Sequence, residues 1–340
     1  MENQEKLKLA WEKIKSAASV LVVGHVSPDP DALASIGAML ELLKNLQIPS
    51  LGYADNKLAE IYSYIPNEDL ITTEKPRRLA DFSVILILDC GAISRTSLEP
   101  ELRAILAARS SDSEANQTRA TPYIIEFDHH EVLESFADLE LRIPSKASTT
   151  EIIYDFFEAN QLEMNKAIAD CILIGLMADT GNFLHANSSF EVMAASSDML
   201  LRGASLNKIS ERVRGAGTLA ALKVWGRALE KIKFNQETGL VCSALTSQDF
   251  SELLKPEEKN SVAEVYGDIA SFMSYLSGAK LALFLREENG RVKGSFRTNS
   301  DEIDVAKLAQ KFGGGGHKRA AGFIQDGHLE ETENGWKVVK

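Results

Sequence analysis

The stretch VLVVGHVSPDPDALAS, Val20 to Ser35, decides how the chain is read. An apolar run, Val20 to Gly24, has the length and β-branched content of a buried strand. It stops at His25, and Asp29 and Asp31 follow within a few residues, spaced by Pro28 and Pro30. The chain then continues as ALASIGAMLELLKNL, whose apolar residues recur at helical spacing. A strand, a turn crowded with titratable groups and a helix make one β-then-α unit. Either the polar residues cap that helix, or they face something that needs their charge.

The same rhythm recurs in VILILD (Val84 to Asp89) and YIIEF (Tyr123 to Phe127). Strands that are apolar on both faces belong to a mostly parallel sheet covered by helices on both sides, so the expected class is α/β with a doubly wound sheet. From Thr149 to about Ile232 helical patterns dominate, in TTEIIYDFFEA, KAIADCILIGLMA and LNKISERVRGAGTLAALKVWGRALEKI. Strand signals return in GLVCSAL, AKLALFLRE and GRVKGSF, followed by helical DVAKLAQKF and the cluster GGGGHKRAAGF. That second region reads as a smaller α+β domain. A chain of 340 residues, at roughly 150 per domain, then divides into residues 1–195, a helical connector over 196–228 and a second domain over 229–340. The polar, aperiodic RSSDSEANQTRA (Arg109 to Ala120) reads as an exposed loop.

Composition excludes several function classes. The chain is 44% hydrophobic and 25% charged, and no apolar run approaches the ~20 residues of a membrane span. Its N-terminus, MENQEKLKLAWEKIKSAAS, alternates charge with apolar residues at helical spacing and lacks a cleavage signal, which predicts an amphipathic helix of a cytoplasmic protein. Cys90, Cys171 and Cys242 form no CxxC pair and fit small core thiols in a reducing compartment. The net charge of −12 argues against a grip on long DNA by counterion release and leaves short polyanions or a local basic patch.

Three strands share one design, each ending in metal-ligand residue types: His25, Asp29 and Asp31 after the first, Asp89 after the second, Asp128, His129 and His130 after the third. In an open α/β sheet the ligand crevice lies outside the carboxyl ends of the strands, so the three sets converge on one rim. A fourth element is MADTGNF, where Asp179 closes an apolar helix and Gly181 lets the chain turn. Singly, an aspartate after a strand is more simply a turn or N-cap residue. Together these carboxylates and imidazoles would repel one another unless a cation neutralised them. Imidazole and carboxylate without thiolate suit Mn²⁺, Fe²⁺, Co²⁺ or Zn²⁺, and oxygen-rich surroundings favour Mn²⁺ or Mg²⁺. The ligands outnumber the needs of one ion. Two ions about 3.5–4 Å apart, bridged by one carboxylate, would form a clamp for phosphoryl chemistry.

The set HVSPDPDALAS, LDCG, FDHH, ADTGNF and GGGGHKRAAGF resembles the DHH phosphoesterase family, in order and spacing most like the stand-alone bacterial nanoRNase/pAp phosphatases. The resemblance implies that His25, Asp29 and Asp89 hold one Mn²⁺ while Asp31, Asp89, His129 and Asp179 hold the other, with Mg²⁺ or Co²⁺ as substitutes. It makes Asp89 the bridge, Asp128 an orienting group and His130 a residue facing the scissile phosphate. Two departures stand out: Pro30 replaces a common glycine, and Leu184 and His185 follow GNF where many relatives have an arginine and an aromatic residue.

In the second domain, Gly313 to Gly316 followed by His317, Lys318 and Arg319 would let the backbone approach a phosphate, with N–H groups at the start of a following helix as the anion site. Arg297, in GSFRTNS, is expected to join this patch, and guanidinium groups suit phosphate ends better than lysine. The substrate-binding set is therefore Arg297, Gly314, Gly315, Gly316, His317 and Arg319. A flexible turn and ordinary surface ion pairs are the plain alternatives. The resemblance implies a hydrolase that cuts short RNA oligonucleotides to mononucleotides and 3′-phosphoadenosine 5′-phosphate (pAp) to AMP, in a cleft between domains. Rival readings are a cyclic di-AMP or linear dinucleotide phosphodiesterase and a catalytically idle nucleotide-binding regulator. A homodimer is compatible with the amphipathic pattern after Thr149, as is packing within one chain.

Overall fold

Because the strands of the first half are apolar on both faces, each must be covered from both sides, and the computed structural model bears this out. It describes residues 2–55, 63–110, 121–131, 134–213, 219–255, 258, 266–316, 318–332 and 335–339. The chain divides into two compact units, Met1–Arg214 and Gly215–Lys340. In the first, strands β1 (Val20–Val23), β2 (Ser50–Tyr53), β3 (Ile71–Thr72), β4 (Val84–Leu88), β5 (Tyr123–Asp128) and β6 (Leu139–Arg142) form one sheet, ordered β3-β2-β1-β4-β5-β6. All its pairings are parallel. The order reverses between β1 and β4, which places the ligand crevice of such a sheet beside those two strand ends.

Helices α1 (Glu2–Lys15), α2 (Pro30–Asn45), α3 (Glu99–Ser110), α4 (Thr149–Ala159), α5 (Lys166–Asp179), α6 (Phe190–Leu201) and α7 (Leu206–Val213) cover the sheet. Alternate strand residues divide between two cores. Val20, Val22, Leu86, Leu88, Ile125 and Phe127 pack with α2, α4 and α5, whereas Leu21, Val23, Ile85, Ile87 and Ile124 pack with Leu98, just before α3, and Leu102 in its first turn. Phe127, Phe156 and Phe157 meet edge to face in the first core. The expected amphipathic N-terminal helix is α1, which buries Leu7, Ala10 and Ile14. Residues 111–120 of the expected exposed loop lie outside the described residues.

The second unit begins with α8 (Leu219–Glu230) and continues through β7 (Lys233–Asn235), β8 (Leu240–Leu245), α9 (Ser247–Leu253), α10 (Tyr266–Ser274), β9 (Leu281–Glu288), β10 (Arg291–Arg297) and α11 (Val305–Gln310). It closes with β11 (Gly315–Gly316), β12 (Ala320–Asp326), β13 (His328–Thr332) and β14 (Gly335–Val339). Its mixed sheet runs β11-β12-β10-β9-β8-β7, with only β8 and β9 parallel. A capping box between Thr246 and Asp249 starts α9. The helix expected after the glycine cluster does not form. The chain enters β12 instead, where the alternation of Ala321 and Phe323 fits a pleated strand paired with β10 and buries both side chains.

Cys90, Cys171 and Cys242 are buried free thiols. Among the described residues no helix is long and apolar enough to cross a membrane.

Candidate metal centre

The rim of the first sheet collects the titratable residues expected there. His25 follows β1 and is 4% exposed. Its Nδ1–H donates to the Val26 carbonyl at 2.7 Å, which leaves the Nε2 lone pair available. That Nε2 is buried with no hydrogen-bond partner, 3.8 Å from Asp29 Oδ2 and 3.7 Å from Asp89 Oδ2. A buried lone pair facing two carboxylates across such gaps is what a cation site provides, and the donor set fits a divalent ion.

Asp29 has two employments. Its Oδ1 caps α2 by accepting from the Ala32 N–H at 3.0 Å, with Pro30 at the start of the helix where the missing N–H costs nothing. Its Oδ2 faces His25. The cap and the candidate ligand are the same side chain.

Asp89 closes β4 in the left-handed region, at φ 61°, and is almost fully buried. Its Oδ2 turns toward His25, while Oδ1 accepts from the Thr149 hydroxyl at 2.9 Å and lies 3.5 Å from His129 Nε2. His129 Nε2 is also 3.2 Å from Asp179 Oδ2 at the end of α5. Ligand atoms of His25, Asp29 and Asp89 lie within 4.8 Å of one another, as do those of Asp31, His129 and Asp179, and those of Asp89, His129 and His130. Asp89 thus sits between two groups of residues able to hold an ion.

Asp31 is fully buried at the N-terminus of α4, where it accepts from the Thr149 N–H (2.7 Å), the Thr150 N–H (3.2 Å) and the Thr150 hydroxyl (2.8 Å). Helix N-terminal N–H groups favour a negative charge at that point. Room for it comes from Gly175 on α5, where a Cβ would stand 2.2 Å from Asp31 Oδ1 and from Thr150 Oγ1. Asp128, at the end of β5, accepts from the His130 N–H (2.9 Å), from His130 Nδ1 (2.7 Å) and from the Gly91 N–H. It therefore orients His130, whose Nε2 lies 3.1 Å from Arg95 Nη1. Thr149, Thr150, Gly175 and Arg95 are site residues that sequence reading did not single out.

The electrostatics follow from the crowding of carboxylates at this rim. Burial, with the charges of Asp31, Asp29, Asp179 and Asp128, pushes the Asp89 carboxyl well above its ordinary value. Burial and the charges of Asp31 and Asp29 do the same to Asp179. Asp31 is pushed up to about 6 by burial and by Asp29, against its hydrogen bonds from Thr149 and Thr150. Asp128 falls the other way: burial is outweighed by its bonds from His130 and Gly91. Protons or cations must occupy this cluster.

The second unit gathers a separate set of residues. Arg297 ends β10 opposite Ala320 of β12, and the Thr298 N–H donates to the Arg319 carbonyl at 3.0 Å, so the two arginines are neighbours. Arg297 Nε donates to Ser271 Oγ at 3.3 Å, and Arg319 forms an ion pair with exposed Asp301 at 2.5 Å. Gly314 is required by packing, since a Cβ would stand 2.0 Å from the Gly322 carbonyl oxygen. Gly316, at φ 141°, is likewise confined against Ala320 and Ala321, whereas Gly315 faces open space. His317 lies outside the described residues.

Comparison with known proteins resolves the family. Residues 19–176 match the model of the DHH family, N-terminal domain, and residues 252–334 match that of the DHHA1 domain. The chain belongs to the DHH family. Among curated DHH-related sequences it is 27% identical, over 93% of its length and 90% of the relative's, to a protein of Thermus thermophilus named bifunctional oligoribonuclease and PAP phosphatase. It is 22% identical over 95% of its length to a cyclic-di-AMP phosphodiesterase of Listeria monocytogenes, of which it spans 47%. The fold matches a crystal structure from Bacteroides fragilis described as an exopolyphosphatase-related protein, with TM-score 0.78, 21% identity and coverage of 94% and 91% of the two chains. Against the DHH pattern, Leu184 stands 69% exposed, and the His185 ring lies over Gly181 where a Cβ would meet it at 2.4 Å.

The carboxyl shifts of this DHH centre give a pH test. A folded-state value raised above the ordinary 3.8, as for Asp31 at about 6, contributes stability that is complete below 3.8 and lost as pH rises through about 6. Asp89 and Asp179 act in the same direction. Metal-free protein is therefore expected to lose several degrees of unfolding temperature between pH 4 and 7, and added Mn²⁺ at pH 7 to restore it. Calorimetry with and without chelator checks this. An unfolding temperature independent of both pH and Mn²⁺ would contradict the reading of the cluster as a cation site.

Proposed function

We propose that the chain is a two-metal phosphoesterase that hydrolyses short RNA oligonucleotides to mononucleotides and pAp to AMP. The observation that carries the reading is Asp89, a buried carboxylate whose two oxygens face two separate ligand groups. His25, Asp29 and Asp89 would hold one ion; Asp31, Asp89, His129 and Asp179 would hold the other. Two bound divalent ions, most suitably Mn²⁺, would lower the pKa of water toward neutrality and offset charge on phosphoryl oxygens.

The remaining chemistry falls to the chain. Thr149 and Thr150 fix the rotamers of Asp89 and Asp31 by hydrogen bonds. Asp128 holds His130 at the edge of the centre, facing the position of the scissile phosphate. Water attacks phosphorus in line with the leaving oxygen, and no side chain forms a covalent intermediate. In the DHHA1 domain, Arg297, Gly314, Gly315, Gly316, His317 and Arg319 would receive the nucleotide end. The three free thiols support a reducing, cytoplasmic setting.

The similarity to a cyclic-di-AMP phosphodiesterase favours a second reading, in which the same centre opens a dinucleotide. Product chromatography separates the two. The protein would be incubated with Mn²⁺ and pAp, a two- to five-residue RNA, cyclic di-AMP, pyrophosphate and a long single strand. AMP and mononucleotides from the first two alone are expected. Turnover confined to cyclic di-AMP would replace the substrate, and silence across the panel with two ions bound would leave a nucleotide-binding regulator.

A further inference from the structure

From the surroundings of Arg95 we infer that this residue is the phosphate-binding arginine of the centre, reaching substrate beside His130; the inference rests on the phosphoesterase reading. Arg95 ends a short 3-10 turn, Ile93–Arg95, just after the Asp89 loop. It is half-buried, and its Nη1 donates to His130 Nε2 at 3.1 Å. Direction is forced at both ends of that contact. A guanidinium can only donate, so His130 Nε2 accepts from Arg95 and the Nδ1–H donates to Asp128 Oδ1. His130 Nε2 is thus occupied as an acceptor, and it is Arg95 that brings further N–H groups to the rim.

Donor accounting supports this. A guanidinium carries five N–H donors, and the His130 contact uses one of them. Arg103, Arg109, Arg142 and Arg202 each sit against a carboxylate. Arg95 has no carboxylate within 4.0 Å among the described residues, although Asp89 and Asp128 lie just beyond the neighbouring histidine. Once divalent ions neutralise them, a half-buried cation is left beside further positive charge, and an incoming anion is the natural compensation. The planar fork of arginine matches two non-bridging oxygens of one phosphate.

The backbone keeps a separate task, because the Arg95 carbonyl accepts from the Val26 N–H at 2.8 Å and so anchors the His25 loop whatever the side chain is. Side-chain substitution can therefore report on binding. Binding of inorganic phosphate to Mn²⁺-loaded protein would be measured by calorimetry for the parent, Arg95→Met and Arg95→Lys, with metal content and unfolding temperature measured alongside. Arg95→Met is expected to weaken phosphate binding about 10- to 100-fold and Arg95→Lys to recover part of it, with metal content and unfolding temperature unchanged. Phosphate affinity within twofold of the parent overturns the inference. So does a loss of metal or of unfolding temperature in both variants, which would make Arg95 a prop of the scaffold, and so does a parent that binds no phosphate. A parent that binds phosphate through Arg95 but hydrolyses nothing in the substrate panel removes the phosphoesterase reading and leaves this one standing.

Discussion

Asp89→Asn is expected to lower metal-dependent phosphoester hydrolysis by about 10³-fold or more, roughly 4 kcal/mol of barrier, while the chain stays folded. The amide is nearly the same size as the carboxylate and can still accept from the Thr149 hydroxyl, so packing around a residue 1% exposed is kept. What is lost is the charge shared between His25 on one side and His129 on the other. One carboxamide cannot offer an anionic oxygen to both ligand groups, and its N–H₂ end points a donor at a place built for a cation. Both sites weaken together. Turnover, metal content and circular dichroism measured on the same preparation check this. Full Mn²⁺-dependent turnover with two ions bound would end the assignment of Asp89 as the shared ligand.

Arg142→Met is expected to destabilise the chain by about 3–5 kcal/mol, read as a lower urea midpoint. Arg142 on β6 donates through Nε and Nη2 to Glu126 Oε2 on β5, donates through Nη1 to the Glu134 carbonyl, and stacks on Phe136. The two side chains are 2% and 0% exposed. Burial already pushes the Glu126 carboxyl up to about 8 despite the arginine. Without that cation the carboxyl is held higher still, so Glu126 stays protonated with its hydrogen bonds from Arg142 lost, and the deficit should widen as pH rises past about 8, where the parent ionises against its partner. Glu126→Leu combined with Arg142→Met should return close to the parent, because both charges are then gone. A single variant as stable as the parent would show that water reaches the pair.

In the first unit, the strands legible in the sequence were those buried on both faces. Val20–Val23, Val84–Leu88 and Tyr123–Asp128 are the central β1, β4 and β5, where continuous apolar residues leave little ambiguity. The flanking strands SLGY and LELR were not read as strands, because one contains a glycine and the other alternates like a half-exposed edge. For the site, every expected ligand from His25 to Asp179 arrives at one rim, since strand ends of a parallel sheet meet there by geometry. The supporting residues were illegible for a physical reason. Thr149 and Thr150 read as an ordinary helix start, and their partners Asp89 and Asp31 are distant in sequence. Arg95 carried no motif. In the glycine cluster, Gly314 and Gly316 also let one strand lie against another, a packing demand that the bare run of glycines did not reveal.

Gly175 bears on any attempt to make this protein more heat-resistant. Replacing a glycine inside a helix with alanine is a standard stabilising change, because it restricts the unfolded chain and gains about 0.4–1 kcal/mol where space allows. In the middle of α5 no such space exists: the added methyl would occupy the place of Asp31 Oδ1 and the Thr150 side chain. The helix that supplies Asp179 at its end must stay hollow near its centre. An engineer guided by helix propensity alone would strengthen α5 and dismantle the centre it serves.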